Sequence, residues 1–283
     1  MTRVYNRQTK IVSSIPQYGE AKLKFLYNTP VGRFLLKFIA GHFYSEINAV
    51  YNRSKLSKKK IRPFIEKHHI DTSKYSIEDF NSFADFFARK DNTKTFAKSK
   101  NELIAPADSK LTYYKINKDL QIKIKNTTYS LSDLIGGGIA EEFEGGNCLV
   151  FRLAMDDYHR YCFVDDGKLL SAKHIKGKLH TVSSISEKYQ VFAQNDRIVN
   201  FYELQHFGNM IQIEVGALLV GRIKNHNITD FKKGEEKGYF ELGGSTIILL
   251  TKKNIKIDND IVKQSKENIE TKVSYGERIG ELC

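Results

Sequence analysis

Three polar residues stand where side chains of their type could do chemistry. They are Asp108 in Pro106-Ala107-Asp108-Ser109, His159 in Asp157-Tyr158-His159-Arg160-Tyr161-Cys162, and Ser245 in Glu241-Leu242-Gly243-Gly244-Ser245-Thr246. Together they are the parts of an activated serine nucleophile: the imidazole takes the hydroxyl proton while a carboxylate orients and stabilises the imidazolium. The order Asp, His, Ser permits this, although a chain of 283 residues also holds such triples by chance. The two glycines are more pointed. They permit a turn that a residue with a Cβ adopts only at a cost, and such a turn can press the Ser245 hydroxyl against the carbonyl before it. The alternative is an ordinary Gly-Gly turn leading into a core strand.

The elements that must position these groups fall into two parts, and the pattern predicts an α+β protein. A helical front end occupies residues 1–100, and a β-rich body occupies 101–283. Residues 1–29 read as loosely structured, with Tyr27-Asn28-Thr29-Pro30 as a turn before a helix. From Val31, the residues Phe34, Leu35, Phe38, Ile39 and Phe43 recur at helical spacing, with Arg33 and Lys37 on a flank. That is the pattern of a helix lying in a membrane interface, or of one packed on the protein's own core. The apolar runs are far too short for the roughly 18–20 residues that span a bilayer. A second helix is predicted through Ile61, Phe64 and Ile65. A third would be capped at Ser76-Ile77-Glu78-Asp79 and carry Phe80, Phe83 and Phe87.

After Pro106, segments of strand character recur at 111–116, 121–125, 148–153, 161–164, 210–220 and 240–251. The last contains Ile247-Ile248-Leu249-Leu250, a run suited to a buried strand.

Charge is uneven. The net formal charge is +12, yet residues 1–75 alone hold fifteen Lys/Arg against four Asp/Glu. A localised basic face suggests an anionic partner, lipid headgroups or nucleic acid. No nucleic-acid motif, phosphate loop or H-E-x-x-H accompanies it, so neither nucleic acid nor metal is expected. Cys148, Cys162 and Cys283 are too scattered for a disulfide framework or a zinc site, which fits a reducing compartment. No signal peptide is visible in residues 1–16.

Five segments taken together resemble the phosphatidylserine decarboxylase family. They are Phe86-Phe87-Ala88-Arg89, Ala105-Pro106-Ala107-Asp108, Asp157-Tyr158-His159-Arg160, Val215-Gly216-Ala217 with Val220-Gly221, and Gly243-Gly244-Ser245-Thr246, in the family's order. The resemblance covers roughly residues 25 to 280. It implies a proenzyme that cuts itself between Gly244 and Ser245 into a β chain, 1–244, and an α chain, 245–283. It also implies a covalent pyruvoyl group made from Ser245, whose ketone takes the substrate amine as a Schiff base and accepts the electrons released as CO2 departs. Phosphatidylserine would become phosphatidylethanolamine. Asp108 matches the activating aspartate, and His159 serves self-cleavage and then decarboxylation or protonation. Tyr158 and Cys162 are accessory candidates.

The resemblance further implies peripheral attachment to an anionic membrane surface, on the cytoplasmic side of the cell membrane, and a homodimer. Two departures stand out: Cys162 replaces the second histidine of many members, and Ser109 replaces a glycine after the aspartate. Cys162 itself reads as a small buried strand residue. The competing expectations are an unprocessed basic lipid-binding relative without decarboxylase activity, and a serine hydrolase. The latter lacks a G-x-S-x-G elbow.

Overall fold

The computed structural model describes residues 2–15, 19–124, 127–138, 141–182, 185–186, 190–218, 222–243 and 245–283. Its centre is the strand Ser245–Thr251, buried at every position. Four consecutive branched apolar residues suit a strand covered on both faces, and each buried side chain contributes about 1.5–3 kcal/mol. In the ten-stranded sheet that strand lies between Gly208–Val215 and Asn147–Leu153, antiparallel to both. Ser245 pairs with Leu153, and Thr246 with both Arg152 and Val215. Beyond Asn147–Leu153 come Ser109–Lys115 and Glu270–Val273.

Three smaller sheets flank the large one, and one of them joins Ile223–Asn225, Glu236–Phe240 and Arg160–Cys162. Buried Lys237 of that sheet meets buried Glu214 of the large sheet at 3.0 Å. The sequence reading of 240–251 as one strand is corrected: Glu236–Phe240 and Ser245–Thr251 belong to different sheets. The glycine turn is where the chain crosses between them. The segment read as 210–220 likewise ends as a strand at Val215, and Val220-Gly221 lies outside the described residues.

The front of the chain is more ordered than expected. Residues 1–29, read as loose, include β1 (Thr2–Asn6), β2 (Ile11–Ile15) and α1 (Glu20–Asn28). β1 pairs in parallel with Glu270–Val273, so the two strands close one edge of the large sheet. Arg7 secures that join through Asp258, Asp260 and Glu277, each at 2.8 Å. Such long-range pairing leaves no local signal in a five-residue segment.

Thr29-Pro30 separates α1 from α2 (Pro30–Ile39). The Thr29 hydroxyl accepts the Gly32 N–H at 2.9 Å, and proline at the first turn presets φ. At Gly32 a Cβ would sit 2.0 Å from the Phe25 carbonyl, so glycine lets α1 and α2 close on each other. The inward residues of α2 are Gly32 and Leu36, while Val31, Phe34, Leu35 and Phe38 are exposed. α3 (His42–Arg53) extends this face through exposed Phe43, Ile47 and Val50. The stripe therefore does not pack on the protein's own core. No helix among the described residues is long and apolar enough to cross a membrane.

The helix expected from Ser76 is also corrected. Ile77–Asp79 forms only a 3-10 turn, and the Ser76 hydroxyl bonds the Glu78 carboxylate at 2.6 Å. The helix proper is Phe83–Phe87, which follows α4 (Ile61–His68) and is labelled α5. Its cap is Ser82, whose hydroxyl accepts the Asp85 N–H. Phe64, Phe83, Phe86 and Phe87 pack with Leu242, one residue before the glycines.

Candidate active site

Gly243 has φ +79°, the left-handed region in which a side chain would be strained. This is the conformational use the Gly-Gly pair suggested. Gly244, the other half of the expected cleavage site, lies outside the described residues. The turn is anchored ahead of the glycines. Leu242 is buried among the phenylalanines, and the Glu241 carboxylate takes both Arg53 nitrogens, Nε at 2.7 Å and Nη2 at 2.6 Å. Ser245 then enters the sheet fully buried, and among the described residues its Oγ has no hydrogen-bond partner.

His159 precedes the strand Arg160–Cys162, and its carbonyl accepts the Phe240 N–H at 3.0 Å. The imidazole is buried against the Phe87 ring, with centroids 4.2 Å apart. Its Nδ1 lies 2.9 Å from the Asp157 carbonyl. A carbonyl can only accept, so Nδ1 carries the proton and Nε2 keeps its lone pair. Nε2 is buried and makes no hydrogen bond among the described residues.

Burial pushes His159 down to about 3, helped by the Arg89 charge and opposed by the Asp157 and Gly243 backbone. The ring is therefore a neutral base at physiological pH, and the Gly243 backbone is close enough to act on it. The histidine and the turn ahead of the serine thus share one apolar enclosure. A buried polar atom left unpaired costs about 1–3 kcal/mol, and Ser245 Oγ and His159 Nε2 are two of them.

The neighbouring motifs lock His159 in place. Arg160 donates Nε to the Ala88 and Arg89 carbonyls at 2.8 and 3.1 Å, and pairs with Glu236 at 2.6 Å. The Asp157 carboxylate, buried beside Lys110 Nζ at 2.7 Å, also accepts the Ala154 N–H. Burial raises this carboxyl above its usual range, against the pull of Lys110. Lys110–Asp157 and Arg53–Glu241 escaped the sequence reading. Asp157 and Glu241 stood inside quoted motifs, but their partners are remote in the chain.

Asp108 is held by other partners. Its Oδ2 accepts Lys94 Nζ at 2.6 Å and its Oδ1 accepts the Tyr275 N–H at 2.7 Å. Among the described residues no hydrogen bond joins it to His159 or Ser245. The carboxylate faces a cleft of about 320 Å³ that Asp157 and Tyr158 also line. The Tyr158 hydroxyl accepts the Asp91 N–H at 3.0 Å, and its ring lies under Lys94 Nζ at 5.0 Å. Cys162 is buried near the Tyr275 hydroxyl, and burial pushes its thiol up to about 12. It is neither thiolate nor base near neutrality, so it does not stand in chemically for a histidine. Among the described residues no cluster could hold a metal ion.

A family model described as phosphatidylserine decarboxylase matches residues 80–281. Phosphatidylserine decarboxylase proenzyme 2 of Clostridium acetobutylicum is 52% identical over 284 residues, covering 98% of each chain. A phosphatidylserine decarboxylase proenzyme of Clostridium perfringens (strain SM101 / Type A) is 42% identical over 292 residues, covering 99% of each. One from Ruminiclostridium cellulolyticum is 40% identical over 292 residues, covering 99% of this chain and 97% of that protein.

Proposed function

We propose, for a chain that belongs to the phosphatidylserine decarboxylase family, that it cuts itself at Gly244-Ser245 and then converts phosphatidylserine to phosphatidylethanolamine and CO2. The carrying observation is a pair of buried atoms without hydrogen-bond partners among the described residues, Ser245 Oγ and His159 Nε2, together with the Gly243 turn that leads into the serine and whose backbone acts on the imidazole. In this reading Nε2 takes the hydroxyl proton as Oγ adds to the Gly244 carbonyl. Expulsion of the Ser245 nitrogen, which takes up a proton, leaves an ester. Loss of the Ser245 α-proton breaks the Cβ–O bond and frees the Gly244 carboxylate. The dehydroalanine at 245 takes up water and loses ammonia, leaving an amino-terminal pyruvoyl.

The residues present fit that group. Its position would be the start of a buried strand, directly after the turn whose Gly243 backbone acts on the neutral His159. When present, the group supplies an electrophilic carbonyl and an electron sink for an amine-bearing substrate. The Asp157 carbonyl keeps His159 Nδ1–H fixed, so Nε2 can carry a proton to the substrate carbon that has lost CO2. Phe87 and Leu242 exclude water that would compete for this proton. Asp108 is assigned to the cleft side, positioning residues 274–275 through the Tyr275 N–H.

Peripheral docking on an anionic membrane, at the cytoplasmic side of the cell membrane, belongs to the same reading. What supports it is the outward apolar face of α2 and α3, including Phe38 at 64% and Phe43 at 81% exposure, within the basic first quarter of the chain. Such a face combines acyl-boundary burial with headgroup attraction.

The test is incubation of the purified protein with phosphatidylserine vesicles, followed by mass analysis of the lipid. Phosphatidylethanolamine should accumulate with the wild-type chain and not with Ser245→Ala. Unchanged lipid from a fully cleaved wild-type chain would refute the decarboxylase assignment.

A further inference from the structure

The cleft beside Asp108 contains one cation whose surroundings differ from the rest. Of the other cations that line it, Lys74 meets Asp91 at 3.0 Å, Lys94 meets Asp108 at 2.6 Å, and Lys272 is exposed to solvent. Arg89 lines the same cleft at 8% exposure and has no carboxylate partner among the described residues. Its Nε donates to the Tyr75 hydroxyl at 2.8 Å, and that hydroxyl itself donates to the Asp71 carbonyl. The guanidinium lies 5.1 Å from the Phe86 ring centre and 5.7 Å from that of Tyr75. Its backbone is fixed too, because the Arg89 carbonyl accepts Arg160 Nε. The head thus lies beside two aromatic rings, and among the described residues its remaining donors make no hydrogen bond.

A guanidinium withdrawn from water without an anion is costly, several kcal/mol per ion even after relaxation. A ligand anion in the cleft would offset that cost, and a planar fork of donors suits phosphate or carboxylate oxygens. The cleft volume of about 320 Å³ falls within the range of small-ligand sites.

Resting on the decarboxylase reading, we infer that Arg89 is the receptor for the phosphodiester of the substrate headgroup. The reaction itself decides between the substrate's two anions. The carboxylate leaves as neutral CO2, so a cation holding it would stabilise the ground state more than the transition state. The apolar wall of Phe87 beside His159 suits that departing group. The phosphodiester keeps its charge throughout, so a cation on it binds ground and transition states alike. That is a contribution to KM and not to kcat. Arg89 is accordingly a specificity residue, placed two residues after the Phe87 that packs on the histidine.

The test compares wild type with Arg89→Gln and Arg89→Lys, using short-chain phosphatidylserine in mixed micelles and its O-methyl phosphotriester, which has no phosphate charge. Intact mass first establishes self-cleavage of each protein. Loss of a charged hydrogen bond predicts a KM raised at least about tenfold in Arg89→Gln, with kcat little changed and the lysine variant intermediate. The triester should be a poor substrate for wild type, and Arg89→Gln should no longer distinguish the two lipids. A cleaved Arg89→Gln enzyme with wild-type KM, or one that still discriminates against the triester, overturns the inference while leaving the decarboxylase reading intact. A wild-type enzyme that is cleaved yet inactive on phosphatidylserine overturns that reading first.

Should the variants fail to fold, mature wild-type enzyme is treated with phenylglyoxal with and without glycerophosphoserine, and Arg89 modification is read by peptide mass. Protection supports the assignment. Equal modification in both samples overturns it.

Discussion

Replacing Arg53 with methionine should slow self-cleavage more than it harms the fold. Arg53 lies at the end of α3 and holds both oxygens of Glu241, two residues before Gly243. The side chains are 32% and 13% exposed, so the pair is screened less than a surface pair and stronger than the usual exposed bridge. Charge-assisted bonds of this kind contribute about 1.5–3 kcal/mol. Discounted for partial exposure, about 1–2 kcal/mol should be lost. If most of that holds the turn in its reactive shape, cleavage should slow about tenfold, the factor that 1.4 kcal/mol represents.

The assay follows the 245–283 fragment by mass after synthesis in a cell-free system. Glu241→Gln should show the same defect, and the double variant little more, because the two residues act as one unit. Arg62→Met is the control: its bridge to Glu78 is 73% and 68% exposed at 3.4 Å and should leave cleavage unchanged. Wild-type cleavage rates in Arg53→Met, alongside a measurable loss of stability, would refute the idea that this clamp sets the turn.

Three further outcomes are expected. His159 is held neutral down to about 3, whereas in the unfolded chain it titrates near 6.5. The unfolded state therefore binds the extra proton, and stability falls as pH drops from about 6.5 towards 3, by up to about 1.4 kcal/mol per unit. In an uncleavable Ser245→Ala background, adding His159→Gln should remove about 2 kcal/mol of the difference between pH 7 and pH 5 in urea denaturation. Equal slopes would mean that the ring titrates in the fold as it does in the unfolded chain. Phe38→Asp should sharply reduce binding to anionic vesicles in flotation, since each docked phenylalanine contributes about 1.5–3 kcal/mol, while leaving the melting temperature near wild type. Loss of fold without loss of binding would contradict the outward face. After cleavage, the 245–283 fragment should co-elute with the long chain in size exclusion and separate only in denaturant. Two of its strands lie between strands of the long chain, Ser245–Thr251 between Gly208–Val215 and Asn147–Leu153, and Glu270–Val273 between β1 and Ser109–Lys115. Separation in plain buffer would contradict the sheet order.

What the sequence made legible was local. The run from Ile247 to Leu250 marks a strand because buried branched side chains repeat there, and it is the central one. Gly243 marks the turn, and its positive φ is what glycine is for. Tyr27-Asn28-Thr29-Pro30 announces a turn before a helix, and the helix does start at Pro30. What stayed hidden depended on distant partners. β1 pairs with β2 beside it, and Glu270–Val273 joins the two to the large sheet from the far end of the chain. The helix expected from Ser76 starts instead at Ser82, where the phenylalanines can reach Phe64 and Leu242. Asp108 looked like the partner of a histidine, yet Lys94 and Tyr275 hold it, and the Asp157 carbonyl takes the role of fixing His159. Residue type identified the participants. Which ones touch was decided by the crossing of two sheets.

The most direct test of the account is the intact mass of the purified protein under denaturing conditions. Two fragments dividing between Gly244 and Ser245, the short one bearing a pyruvoyl at its amino terminus, are the predicted result, with Ser245→Ala remaining whole. A single unmodified 283-residue chain, persisting after incubation with anionic membranes, would contradict it.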